Sequence, residues 1–198
     1  AYANPRVTDA KVPFSGLQGM VPSDGNGVTT ITTAMMPPSH GGLGNFDFKQ
    51  VASQAVYFGE WSLTGANNDP TRVVYYSGEA SGRVLPTSAV TYAVQGINNY
   101  TGSNLMSGEL TASFGNATPT LTGSLSNSAL KVQVAANINT STASFAGAAA
   151  AFNPTTNATL STGTTQGTFF GAGANASLAG ITKFANRNYD TAFGGKVK

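Results

Sequence analysis

Among 198 residues there is one histidine, His40, and no cysteine. An imidazole is the strongest candidate metal ligand in such a chain, and its neutral ring nitrogen suits a transition-metal centre. His40 follows Met35-Met36-Pro37-Pro38-Ser39 and precedes Gly41-Gly42. The prolines stiffen the approach. The glycines leave bare backbone against which a flat macrocycle can lie. Taken alone, an exposed loop histidine is the plainer reading. Met20, Met35 and Met36 are thioethers, able to act as weak ligands or as apolar walls, and gap-filling is their commoner use. Tyr57, Tyr75, Tyr76 and Tyr100 can bind ferric iron as phenolates, although buried tyrosines more often pack cores and interfaces. Phe46, Phe48, Tyr57 and Phe58 can wall a pocket near His40. Lys49, Arg72 and Arg83 are the basic residues available for a ligand's acidic groups, with a solvated surface charge as the plain alternative for each.

Other chemistries find little support. Without cysteine, disulfides, thiol catalysis, thiolate metal sites and a lipidated N-terminal cysteine are excluded for this sequence. Eight acidic residues are scattered with no acid–histidine spacing and no G-x-S-x-G element, so the chain does not read as an enzyme. A net charge of +2 is too small to point to nucleic acid. No apolar run approaches the ~20 residues of a membrane-spanning helix. The opening Ala1-Tyr2-Ala3-Asn4-Pro5 reads as the start of a mature exported chain from which a signal peptide has been removed.

The elements that must position these side chains read as strands. Val90, Tyr92 and Val94 alternate with polar or small neighbours, as do Leu110, Ala112 and Phe114, and Leu130, Val132 and Val134. Period-two alternation gives one buried and one wet face. Turn clusters at Asn98-Asn99, Gly115-Asn116 and Ser126-Asn127-Ser128 separate the runs. Outward Thr, Ser, Gln, Lys and Glu with inward Leu, Val, Phe and Ala suit a water-facing barrel and not a lipid-facing one. The expectation is all-β: a handle domain over residues 1–70, with strands near 27–34, 46–51 and 54–63, then an eight-stranded antiparallel barrel over residues 71–198. The alanine run 146–151 is expected as strand, and Ala172 to Leu178 as a short helical turn.

Gly167-Thr168-Phe169-Phe170-Gly171, then Ala172 to Gly180, and finally Phe193-Gly194-Gly195-Lys196 resemble the closing hairpin of the transferrin-binding protein B-like barrels exported through Slam-type translocons. Tyr75-Tyr76-Ser77-Gly78 and Leu85-Pro86-Thr87-Ser88 extend the likeness. With Val56-Tyr57-Phe58-Gly59-Glu60-Trp61 in the handle, the chain is most similar to the hemophilin branch, small secreted hemophores. The resemblance implies non-covalent haem b, with His40 as axial iron ligand and Met35, Met36, Gly41, Phe48, Tyr57 and Phe58 around it. It also implies an extracellular Gram-negative protein that takes haem, from host haemoglobin among other sources, to a TonB-dependent outer-membrane receptor. Some members of that branch use two histidines, and this chain has one. Two rival readings are a cofactor-free module that binds a transferrin-like or complement-regulating host protein, and a structural surface protein.

Overall fold

The computed structural model describes residues 2–3, 12–36, 44–66 and 69–198. His40, Gly41 and the Asn67-Asn68 pair therefore lie outside the described residues. Strands β1 (Tyr2–Ala3) and β2 (Val12–Pro13) pair with each other and lead into helix α1 (Phe14–Met20). An antiparallel sheet follows, ordered β3 (Val28–Ile31), β4 (Asn45–Gln50), β5 (Val56–Ser62) and β6 (Val73–Gly78). A 3₁₀ turn, Thr33–Met35, sits between β3 and β4.

The rest of the chain closes into an eight-stranded barrel. Its strands are β7 (Ala89–Ile97), β8 (Met106–Ser113), β9 (Thr120–Ser126), β10 (Lys131–Asn139), β11 (Ser144–Phe152), β12 (Thr159–Phe170), β13 (Ser177–Phe184) and β14 (Thr191–Val197). The last strand pairs with the first, Phe193 opposite Gly96, so the barrel has no free edge. The alanine-rich run is strand, as expected, despite its helix propensity, because it is hydrogen-bonded on both sides, to β10 and β12. The expected helical turn is a 3₁₀ turn at Gly173–Asn175.

The closing motif has a packing explanation. Phe145 lies among Phe169 and Phe193 in the barrel core. Gly167 and Gly180 are opposite each other in the β12–β13 ladder. A Cβ on Gly167 would come 2.1 Å from the tip of the Phe145 ring, and one on Gly180 2.8 Å from it. Those glycines make the space that Phe145 fills. The neighbouring residues point outward by strand alternation. Phe170, Ala179, Ile181 and Ala192 form an apolar patch with Ile97 on the barrel's outer wall.

The handle sheet packs on that patch through Val28, Val56, Phe58 and Val74, with Val51 beside them. One difference from expectation concerns Tyr75-Tyr76-Ser77-Gly78, the motif placed after residue 70 with the barrel. It forms β6 and pairs with β5 along Val56 to Trp61, so it completes the handle sheet. The turn before it is organised by Asp69, whose carboxylate accepts from the hydroxyls of Thr64 and Thr71 at 2.5 and 2.6 Å.

A buried ion pair fixes the seam between the two parts. Arg72 Nε donates to Glu60 Oε2 at 2.8 Å. The other guanidinium nitrogens donate to the carbonyls of Arg187 and Asp190, each at 3.0 Å. Glu60 in turn accepts from the backbone N–H groups of Asn99 and Tyr100 at 2.9 and 2.7 Å. Each charge is thus met by hydrogen bonds from both the handle and the barrel, which is what a buried pair requires.

Candidate functional site

Register sorts the handle sheet's side chains onto two faces. Ile31, Phe46, Trp61 and Val73 lie side by side across the four strands, and Thr29, Phe48, Gly59 and Tyr75 form a second such row. Both rows face away from the barrel. Helix α1 lays Phe14 and Leu17 over them, and Met36 joins the same buried cluster. Phe14 stacks on Tyr57 and Tyr75 with ring centroids 4.7 and 5.8 Å away, and meets Phe48 edge-on at 4.9 Å.

Of the residues proposed from sequence, Met36, Phe48 and Tyr57 come together in this cluster. Phe58 does not join them. It follows Tyr57 in β5, so it turns to the opposite face and packs on the barrel. Met35, in the 3₁₀ turn, is half-exposed. His40 and Gly41 lie between the described residues Met36 and Gly44. His40 is four residues from each of these, and a chain that short cannot reach more than ~14 Å from either. Gly44 itself packs against Trp61, where a Cβ would come 2.5 Å from the indole nitrogen.

Three exposed apolar side chains gather at this end of the sheet: Met35, Leu63 and Val73. Side-chain bonds tie the ends of the elements together there. Asn45 accepts from the Thr33 N–H at 3.2 Å and donates to the Leu63 carbonyl at 3.1 Å. The Leu63 N–H donates to the Thr71 hydroxyl at 2.8 Å. A surface of this kind suits an apolar ligand. Sequence reasoning missed Phe14, Leu17, Leu63 and Val73. The Phe14–Leu17 spacing after Pro13 was the available signal for α1.

The basic candidates are already engaged. Arg72 is held by Glu60, Lys49 donates to the Asn26 carbonyl at 2.6 Å, and Arg83 donates to the Phe169 carbonyl at 3.3 Å. Lys49 lines a cleft of about 610 Å³ at the other end of the sheet, between Gln50–Ala52 of the handle and Ala93, Gln95, Ser107 and Lys196 of the barrel. Burial lowers the Lys49 pKa, partly opposed by the charge of Asp24. Asp47, on the barrel side of β4, is pushed up to about 6 by burial, against the Thr30 hydroxyl that bonds to it at 2.6 Å.

The donor set fits a haem. Among the described residues no three carboxylate, imidazole or thiol groups gather to hold a bare metal ion. The described residues offer instead an apolar, aromatic wall with the Met36 thioether, and a buried hydroxyl on Tyr75 that has no hydrogen-bond partner. Residues 2–73 match the family model described as the HphA N-terminal heme-binding domain, and residues 83–197 match the one described as the HphA C-terminal domain. The first match carries α1 and His40, the second spans the barrel, and neither is a catalytic family. With both of its parts matched in order, the chain belongs to the HphA family of haem-binding proteins, the hemophilins.

Proposed function

We propose that this protein is a secreted hemophore that holds non-covalent haem b in its handle, with His40 as an axial ligand of the iron. The observation that carries this reading is the chain's one histidine, within the matched heme-binding domain and in sequence between Met36 and Gly44, which both pack on the handle's apolar face. Haem supplies an iron that needs axial donors and a large flat surface that needs shelter from water. His40 gives the donor nitrogen. Met35, Met36, Gly41, Phe48 and Tyr57 contribute to the shelter, joined by Trp61, Leu63 and Val73 at the sheet's end. Phe58 serves the handle–barrel seam instead.

The barrel holds the handle sheet from its other face, through the apolar patch and the Glu60–Arg72 pair, and so leaves the face that carries Phe48 and Tyr57 to the ligand. A receptor that takes the place of His40 on the iron breaks one axial bond and releases the ligand. The receptor is of the TonB-dependent outer-membrane type, and export runs through a Slam-type translocon. Titrating haem into the full chain tests the central step. The expected result is a red-shifted Soret band saturating at one haem per chain, with weaker binding and an altered band in His40→Ala. An unchanged affinity and spectrum in His40→Ala removes His40 from the iron.

A further inference from the structure

We infer that the cleft between the handle and the barrel is a second binding site, for a small organic anion whose carboxylate or phosphate group is held between Lys49 and Lys196. The site is separate from the haem-binding face. Lys49 belongs to the row Val28–Lys49–Phe58–Tyr76, which faces the barrel, and not to the face that carries Phe48 and Tyr57.

The charges around the cleft are of one sign. It measures about 610 Å³ and is lined by two ammonium groups and no carboxylate. Lys49 comes from β4 of the handle and Lys196 from the barrel's last strand. Neither forms an ion pair among the described residues, where Glu60 is taken by Arg72 and Glu109 by Lys198. The acid whose charge bears on Lys49 is Asp24. Its carboxylate is already met by the N–H groups of Asn26 and Val28, at 2.9 and 3.0 Å, and by the Tyr100 hydroxyl. A concave surface with charge of one sign and low-dielectric walls concentrates ions of the other.

The turn before β3 makes the room for Lys49. Gly27 has a φ of +74°, where L side chains are strained, and a Cβ on it would come 2.4 Å from Lys49 Nζ. Nζ donates to the Asn26 carbonyl at 2.6 Å. An ammonium carries three hydrogens, so two remain for a ligand. Burial already disfavours the charge on Lys49, and an oxyanion in the cleft offsets that. The rest of the wall sets the class of ligand. Val51 and Phe58 form an apolar floor, while Gln95 and Ser107, cross-strand neighbours on β7 and β8, add an amide and a hydroxyl. Such a wall suits an anion with a carbon body and further oxygens, such as a hydroxycarboxylate or a sugar phosphate, better than a bare inorganic ion.

The test titrates the full chain with citrate, glucose 6-phosphate, inorganic phosphate and uncharged glucose, followed through backbone amide resonances. Citrate or glucose 6-phosphate should saturate at one per chain and shift the amides of Ala52, Gln95 and Gly195, which line the cleft. The tighter of the two tells a carboxylate ligand from a phosphate one. Lys196→Met should weaken binding by ~10-fold, the scale of one hydrogen bond to a charged group. It should leave the urea midpoint unchanged, because Lys196 is exposed. Lys49→Met should weaken binding at least as much, with its urea midpoint read alongside because the bond to Asn26 is lost. Added salt should weaken binding as well. The inference is overturned if neither organic anion gives a saturable shift, if glucose binds equally, or if both lysine variants keep the wild-type affinity. Inorganic phosphate binding as tightly as the organic anions reduces the cleft to adventitious ion pairing and overturns it too. No arm of this test involves haem, so its outcome is independent of the haem-binding reading.

Discussion

A Cβ on Gly194 would come 2.6 Å from the Phe58 ring and 2.9 Å from a Val51 methyl, so the barrel's last strand carries a glycine where the handle seats its phenylalanine. Phe58 is 1% exposed in this position. The Phe-Gly-Gly-Lys close of the chain thus serves both sides of one strand, with Phe193 filling the barrel and Gly194 receiving the handle. Phe58→Ala should cost about 3–5 kcal/mol, and Gly194→Ala about 1–3 kcal/mol by overpacking. Urea unfolding measures both. If the seam holds the two parts as one unit, Phe58→Ala also separates handle unfolding from barrel unfolding, seen as early loss of Trp61 fluorescence.

Removing one half of the Glu60–Arg72 pair leaves the other charge buried and unmatched. Arg72→Met should destabilise by about 3–5 kcal/mol. The double variant Glu60→Gln/Arg72→Met should recover part of that loss, since no uncompensated charge remains. A double-mutant cycle in urea reads the coupling, and simple additivity of the single losses would show that the pair does not act as a unit.

Phe145 predicts the behaviour of the closing hairpin. Gly167→Ala places a methyl where the ring tip lies, and strand pairing leaves the backbone little room to yield. The expected cost is about 1–3 kcal/mol. Gly167→Ala/Phe145→Leu should regain stability relative to Gly167→Ala alone, as judged by thermal melting.

Asp47 sets a pH dependence. Its folded pKa, about 6, lies above the ordinary carboxylate value of 3.8 because burial disfavours the charge. Ionised Asp47 therefore works against the fold at neutral pH, and that penalty fades as pH falls through 6 toward 4. Asp47→Asn keeps an acceptor for Thr30 and removes the charge. It should stabilise by about 1–2 kcal/mol at pH 7.5, allowing for the water that still reaches Asp47, and by almost nothing at pH 4. Urea midpoints for both forms across this range test the sign.

Alternation made the barrel legible, because one face of each strand is wet. Val132 and Val134 are buried while Gln133 between them is exposed. β5 gives no such signal. All seven of its residues are buried, with α1 on one side and the barrel on the other. Nothing in Val56-Tyr57-Phe58-Gly59 tells which neighbour faces α1 and which the barrel, so the sequence alone groups Phe58 with Tyr57. The motif Tyr75-Tyr76-Ser77-Gly78 reads equally well as a barrel strand. Its place in the handle comes from pairing with β5, a long-range fact that composition does not carry. His40 stands out in the sequence by its uniqueness, and the register of the handle sheet sorts Phe46, Phe48 and Trp61 onto the face that α1 covers.

The central claim is that the His40 imidazole binds haem iron. Replacing His40 with glycine and adding free imidazole tests it most directly. The account predicts that His40→Gly loses the wild-type Soret position and binds haem more weakly, and that imidazole restores both in a saturable way. A His40→Gly protein with the wild-type spectrum and affinity before any imidazole is added would contradict it.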